Sequence, residues 1–147
     1  MDKTNIEAQT SAHGLSNYQE ITHQIEVIAR PYYIKEKSQP EMGLYFFAYH
    51  IQIINHRPEP VQLIKRHWII RNGKGREEHV KGEGVIGKTP SLQAFDSFEY
   101  TSFCPLPTPS GSMRGTYEFL TESGESLKIN IPVFWLRLPE SFPSTVH

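Results

Sequence analysis

Apolar and polar residues alternate along most of this chain, the pattern of strands with one buried face. In residues 21–29, Ile21, His23, Ile25, Val27 and Ala29 fall on one side, with Thr22, Gln24 and Glu26 on the other. The spacing predicts one strand, stopped by Pro31, which has no N–H for a ladder. Residues 43–55 give the strongest segment: Tyr45, Phe47, Tyr49, Ile51 and Ile53 alternate with Phe46, Ala48, His50, Gln52 and Ile54. Both faces are apolar at its start, which places it in the middle of a sheet. Pro58 and Pro60 force a turn. Residues 61–71 set Ile64, Arg66, Trp68 and Ile70 against Leu63, Lys65, His67 and Ile69. Asn72-Gly73 predicts a type I′ hairpin, because both central residues of that turn need positive φ, with residues 77–81 as the return strand. Residues 97–104 alternate again, and Pro105, Pro107 and Pro109 then impose an extended loop. Residues 112–121 and 126–136 form a last hairpin, in which Pro132 marks a free edge.

These segments make about seven short strands joined by tight turns, with no amphipathic helix of useful length. The expected architecture is all-β: an antiparallel β-sandwich of immunoglobulin or fibronectin type III-like topology, with a small barrel as the alternative. Residues 1–19 are polar and without period and read as a flexible leader; residues 139–147 read as a C-terminal tail. The domain occupies residues 20–138.

Composition narrows the function. With 147 residues and 37% apolar residues, roughly 44% when glycine is counted, the chain has enough for one core. Fifteen basic residues against 16 acidic ones leave a net charge of −1. No broad positive field exists to attract a phosphate backbone, so no nucleic-acid partner is expected. A single cysteine, Cys104, rules out an intrachain disulfide. The first 20 residues contain no apolar signal core and no stretch is long enough to span a membrane. The expected location is cytoplasmic.

Residues 82–87 read Gly82-Glu83-Gly84-Val85-Ile86-Gly87, a full G-x-G-x-x-G. Residues 82–89 also satisfy G-x-x-x-x-G-K-[ST], through Gly82, Gly87, Lys88 and Thr89. Both motifs bind phosphates only between a strand and a helix, whose free N–H groups and dipole hold the anion. Here Pro90 closes the window in which that helix would grow. The segment therefore reads as a glycine loop between strands. Its narrower chemical reading is a backbone nest, in which Gly82, Gly84, Gly87 and Lys88 cradle an anion.

Residues 66–70 (Arg66-His67-Trp68-Ile69-Ile70), the glycine segment, residues 98–102, Cys104-Pro105-Leu106, Thr108-Pro109, Gly111-Ser112-Met113 and Gly115 together resemble the ApaG family. The resemblance runs over residues 18–138. It departs at two places. Ala94-Phe95 stands where the family usually has Pro-Gly, and Phe103 stands where it usually has glycine. The resemblance implies a fibronectin type III-like sandwich, an association with cobalt and magnesium homeostasis, and a role in protein–protein interaction, as in related domains of eukaryotic F-box and polymerase-delta-interacting proteins.

Other chemistry is thin. His67 and His79 flank the predicted hairpin and, with Glu77 or Glu78, are weak candidates for a divalent cation; strand-surface histidines are the simpler reading. Cys104, followed by Pro105 in an apolar setting, reads as packing rather than as a nucleophile. Trp68 reads first as the core tryptophan of a sandwich; Arg66, His67, Trp68 and Phe103 are alternatively an aromatic and cationic surface for a partner. The expectation is a non-catalytic binding module without cofactor and with a protein partner. The alternative is a small-ligand protein that takes a pyrophosphate-containing nucleotide or divalent cation at residues 82–88.

Overall fold

Two antiparallel sheets face each other across one apolar core in the computed structural model, which describes residues 17–139. In chain order the strands are β1 (Tyr18–Thr22), β2 (Ile25–Tyr33), β3 (Tyr45–Asn55), β4 (Val61–Asn72), β5 (Glu77–Glu83), β6 (Ser91–Leu92), β7 (Ser97–Leu106), β8 (Gly111–Thr121) and β9 (Ser126–Leu136). One sheet has the order β1-β2-β3-β7 and the other β5-β4-β8-β9, with β6 also on β4. The sandwich is the expected class, and the barrel alternative drops out. The largest fully buried side chains are Tyr117, Phe47, Phe119 and Phe134, contributed by both inner faces. β1 and β2 lie against β9 and close one side of the sandwich. On the other side, β5 and β7 stand apart.

The described residues form nine strands where about seven were expected. The single strand read over residues 21–29 is a hairpin. His23 and Gln24 turn with φ of 50° and 64° and pair Thr22 with Ile25. Alternation ran unbroken through this turn, so it gave no sign of the reversal. Its parity changes there: Ile25, Val27 and Ala29 are buried while Ile21 is 57% exposed. Pro31 does not stop β2, which continues to Tyr33 and pairs Pro31 with Tyr49. Pairing with β1 ends at Tyr18 opposite Ala29. Beyond Ala29 the described residues leave one edge of β2 open, where a missing N–H breaks no ladder bond.

β4 contains the irregularity that sets the site. Its register against β8 slips between Leu63 and Lys65, so Ile64 is an extra residue. The bulge switches the inward set from Val61 and Leu63 to Arg66, Trp68 and Ile70. This is why the strand carries an inward-facing arginine beside a buried tryptophan. β9 answers with a bulge of its own at Pro132 and Val133, opposite Arg114.

The turn after β4 is not type I′. Gly73 has no positive φ; Gly75 carries it, at 85°. Asn72 N–H donates to the Arg76 carbonyl, and Asn72 Oδ1 accepts from the N–H groups of Lys74 and Arg76. The asparagine side chain thereby selects a longer loop with a left-handed glycine at its end.

The departure at Ala94-Phe95 has a visible consequence. Gln93 to Asp96 form a turn closed by Asp96 N–H on the Gln93 carbonyl at 3.0 Å, with Phe95 at φ 67°. A left-handed third residue is the place where Pro-Gly fits without strain. Phe95 holds it with its ring 69% exposed, so little packing offsets the strain. Phe95→Gly is therefore expected to stabilise the fold by about 1 kcal/mol, read from urea denaturation midpoints. A loss of stability would show instead that the Phe95 ring is held by contacts that matter.

Candidate functional site

The G-x-G-x-x-G segment is a hairpin tip. Val85 and Lys88 exchange two backbone hydrogen bonds of 2.8 Å, and the two residues between them, Ile86 and Gly87, have φ of 42° and 77°. That is the φ pattern of a type I′ turn. Each glycine has a local reason. At Gly82 a Cβ would stand 2.8 Å from Arg66 Nη2, so the absent side chain makes room for the guanidinium. At Gly84, with φ 61°, a Cβ would stand 2.0 Å from the Lys88 carbonyl oxygen. The N–H groups of Gly84, Val85 and Lys88 donate to the carbonyls of Ile64, Lys88 and Val85. A phosphate nest needs such groups free, and here three of them are spent on the main chain.

What the hairpin builds is a wall. Between β5 and β7, the open side of the sandwich holds a cleft of about 440 Å³. Trp68, Ile70, Val80, Val85, Met113 and Cys104 supply its apolar lining, Arg66, Glu78, Tyr100 and Ser102 its polar groups, and Ile86 and Phe103 form its lips, 51% and 52% exposed. Phe103 packs on Phe46 with ring centroids 5.6 Å apart. Arg66 reaches across Gly82 and donates from Nη1 to the carbonyls of Glu83 and Gly84, both at 2.9 Å. The arginine thus ties the hairpin to β4 and keeps its charge at the cleft.

Three tyrosines gather at the same end. Tyr100 Oη and Tyr117 Oη lie 2.6 Å apart, both buried, and Tyr49 lines the cleft beside Tyr100. Burial raises the pKa of Tyr49, Tyr100 and Tyr117, and the nearby Arg66 charge pulls each partly back. All three remain neutral hydroxyls.

The other sequence candidates fall outside this site or into its walls. Trp68 is 3% exposed and packs edge-on against Tyr49, Tyr117 and Phe134, so it leaves the partner-surface set and joins the core. His67 lies on the opposite face of the sheet from Trp68, away from the cleft. Its Nε2 meets His79 Nδ1 at 2.9 Å. The two imidazoles do approach each other, but no group of three or more metal-binding side chains exists among the described residues. The pKa of His67 is lowered, by partial burial first and then by Lys81, His79 and Lys128. Lys88 is exposed at the hairpin and does not line the cleft. Burial, followed by the charge of Glu78, pushes the Cys104 thiol up to about 12, which removes it as a nucleophile at neutral pH.

Residues 35–121 match the ApaG domain family, a span that runs from the end of β2 to the end of β8 and contains every wall of the cleft. The ApaG protein of Methylobacterium nodulans is 48% identical over 122 residues, covering 83% of this chain and 94% of its own. That of Afipia carboxidovorans is 45% identical over 123 residues, covering 84% and 95%. The chain belongs to the ApaG family. A crystal structure of an ApaA protein from Bordetella pertussis superimposes with a TM-score of 0.78 at 42% identity, covering 84% of this chain and 98% of that one. Membership of the ApaG family gives the residues around the cleft a common frame, but the name carries no reaction. The tyrosine cluster was missed in the sequence, since Tyr49, Tyr100 and Tyr117 are scattered over three strands. Their only shared signal is an inward position in each alternating segment.

Proposed function

We propose that this ApaG-family chain is a non-catalytic, cytoplasmic interaction module that binds a protein partner at the lips of the β5–β7 cleft. One observation carries the reading: Ile86 and Phe103, both half exposed, bracket the mouth of the cleft between β5 and β7. Large apolar groups held at a rim, with an arginine behind them, are typical anchors of a protein interface. The absence of catalysis rests on Cys104, buried and protonated, and on His67 and His79, which point away from the cleft. A contribution to cobalt and magnesium homeostasis would then run through the partner, since the histidine pair has no third metal-binding side chain beside it among the described residues.

The test is affinity capture from the source cell with the wild type and with the double variant Ile86→Asp, Phe103→Asp. A discrete partner is expected with the wild type and at least tenfold less of it with the variant, the two having equal urea midpoints. Equal capture by both removes the rim from the interface.

A further inference from the structure

We propose that the β5–β7 cleft binds a small carboxylate with an apolar body, its head held by Arg66 and Tyr100 and its body between Trp68, Val80, Val85 and Met113. The volume of about 440 Å³ is in the range of small-molecule sites. The polar groups decide the head. Arg66 spends Nη1 on the Glu83 and Gly84 carbonyls. Its Nε and Nη2 have no partner among the described residues. That edge of a guanidinium is planar, carries two parallel N–H groups, and matches a carboxylate bidentately.

Tyr100 supplies a third donor. Two hydroxyls 2.6 Å apart share one proton between them, which leaves the other hydroxyl with a proton to give. Tyr117 is fully enclosed and does not line the cleft, whereas Tyr100 does. Tyr117 therefore donates to Tyr100, and the Tyr100 proton is left for the cleft. Three donors without a protein acceptor converge on one side of the cleft, and a charged acceptor would bind them more strongly than water does. The opposing carboxylate, Glu78, is exposed and makes itself felt at Cys104, while the charge of Arg66 is felt at the tyrosines. The positive end of the cleft is thus the tyrosine end, and the anion belongs there.

This goes beyond the partner surface and stands or falls without it, because it is read on the purified chain alone. The experiment is an NMR titration with 3-phenylpropionate, with the uncharged 3-phenylpropionamide and with inorganic phosphate. Saturable shifts are expected for the carboxylate at Val80, Val85, Met113 and Tyr100, with the amide at least tenfold weaker and phosphate weaker still. Arg66→Lys, which keeps the charge and loses the planar edge, is expected to weaken the carboxylate about tenfold, and Tyr100→Phe about threefold. Should a variant fail to fold, the comparison of acid with amide on the wild type still decides. No saturation below about 10 mM, equal binding of acid and amide, or shifts confined to the outer face around His67 and Lys128 would each overturn the proposal.

Discussion

Trp68→Ala is expected to remove about 3–5 kcal/mol of stability, a large share of what a domain this size possesses. The indole is 3% exposed and makes edge-on contacts with Tyr49 at 5.2 Å, Phe134 at 5.9 Å and Tyr117 at 6.3 Å. These partners come from both sheets, so the side chain is the bolt between them. Truncation loses its burial and leaves a void that rigid strands cannot close, and the aromatic contacts add to the loss. Trp68→Phe keeps part of both and is expected to lose roughly half as much. Urea denaturation reads the difference. A loss below about 1 kcal/mol for the alanine variant would mean that the indole does not hold the sheets together and would reopen its place at a partner surface.

Much of this architecture was legible in the alternation of residues. The long strands β3, β4, β8 and β9 each bury one face, and period two registers that burial directly. Two of the errors have one physical origin: alternation reports burial and not pairing. A two-residue turn at His23-Gln24 leaves the apolar–polar rhythm intact while reversing the chain. The bulge at Ile64 likewise shifts the buried set by one residue without a glycine or proline to mark it. Turn chemistry misled at Asn72-Gly73 because the asparagine side chain, rather than a left-handed Asn-Gly pair, shapes the loop.

The site was legible only in part. Arg66 and Phe103 stood out in the sequence, and the structure brings them to one cleft, with Gly82 against the Arg66 guanidinium. Their relationship was hidden, because it depends on the cross-strand pairing of Arg66 with Gly82, which places the guanidinium over the glycine of β5. The sequence showed that no helix follows the glycine motif, and the structure makes it a hairpin tip between strands. Its role in seating an arginine needed the register of β4 against β5.

That role makes Gly84→Ala the second large prediction. A Cβ there would stand 2.0 Å from the Lys88 carbonyl oxygen, which belongs to the other arm of the same tight turn. Backbone cannot yield as a flexible side chain can, so the arms must part. Parting them breaks the 2.8 Å bonds between Val85 and Lys88 and displaces the Gly84 carbonyl that anchors Arg66. The left-handed φ of 61° adds the usual strain of a non-glycine residue. The expected loss is about 3 kcal/mol, with increased hydrogen exchange at Val85 and Lys88. Gly87→Ala is the contrast: it shares the positive φ, at 77°, but a Cβ there meets nothing within 4 Å. Only the conformational strain of about 1–2 kcal/mol should remain. Equal losses at the two positions would show that backbone conformation alone, and not the closeness of Lys88, fixes glycine at 84. A larger loss at 84, together with a mobile Arg66 side chain by NMR, would tie the motif to the cleft wall that it builds.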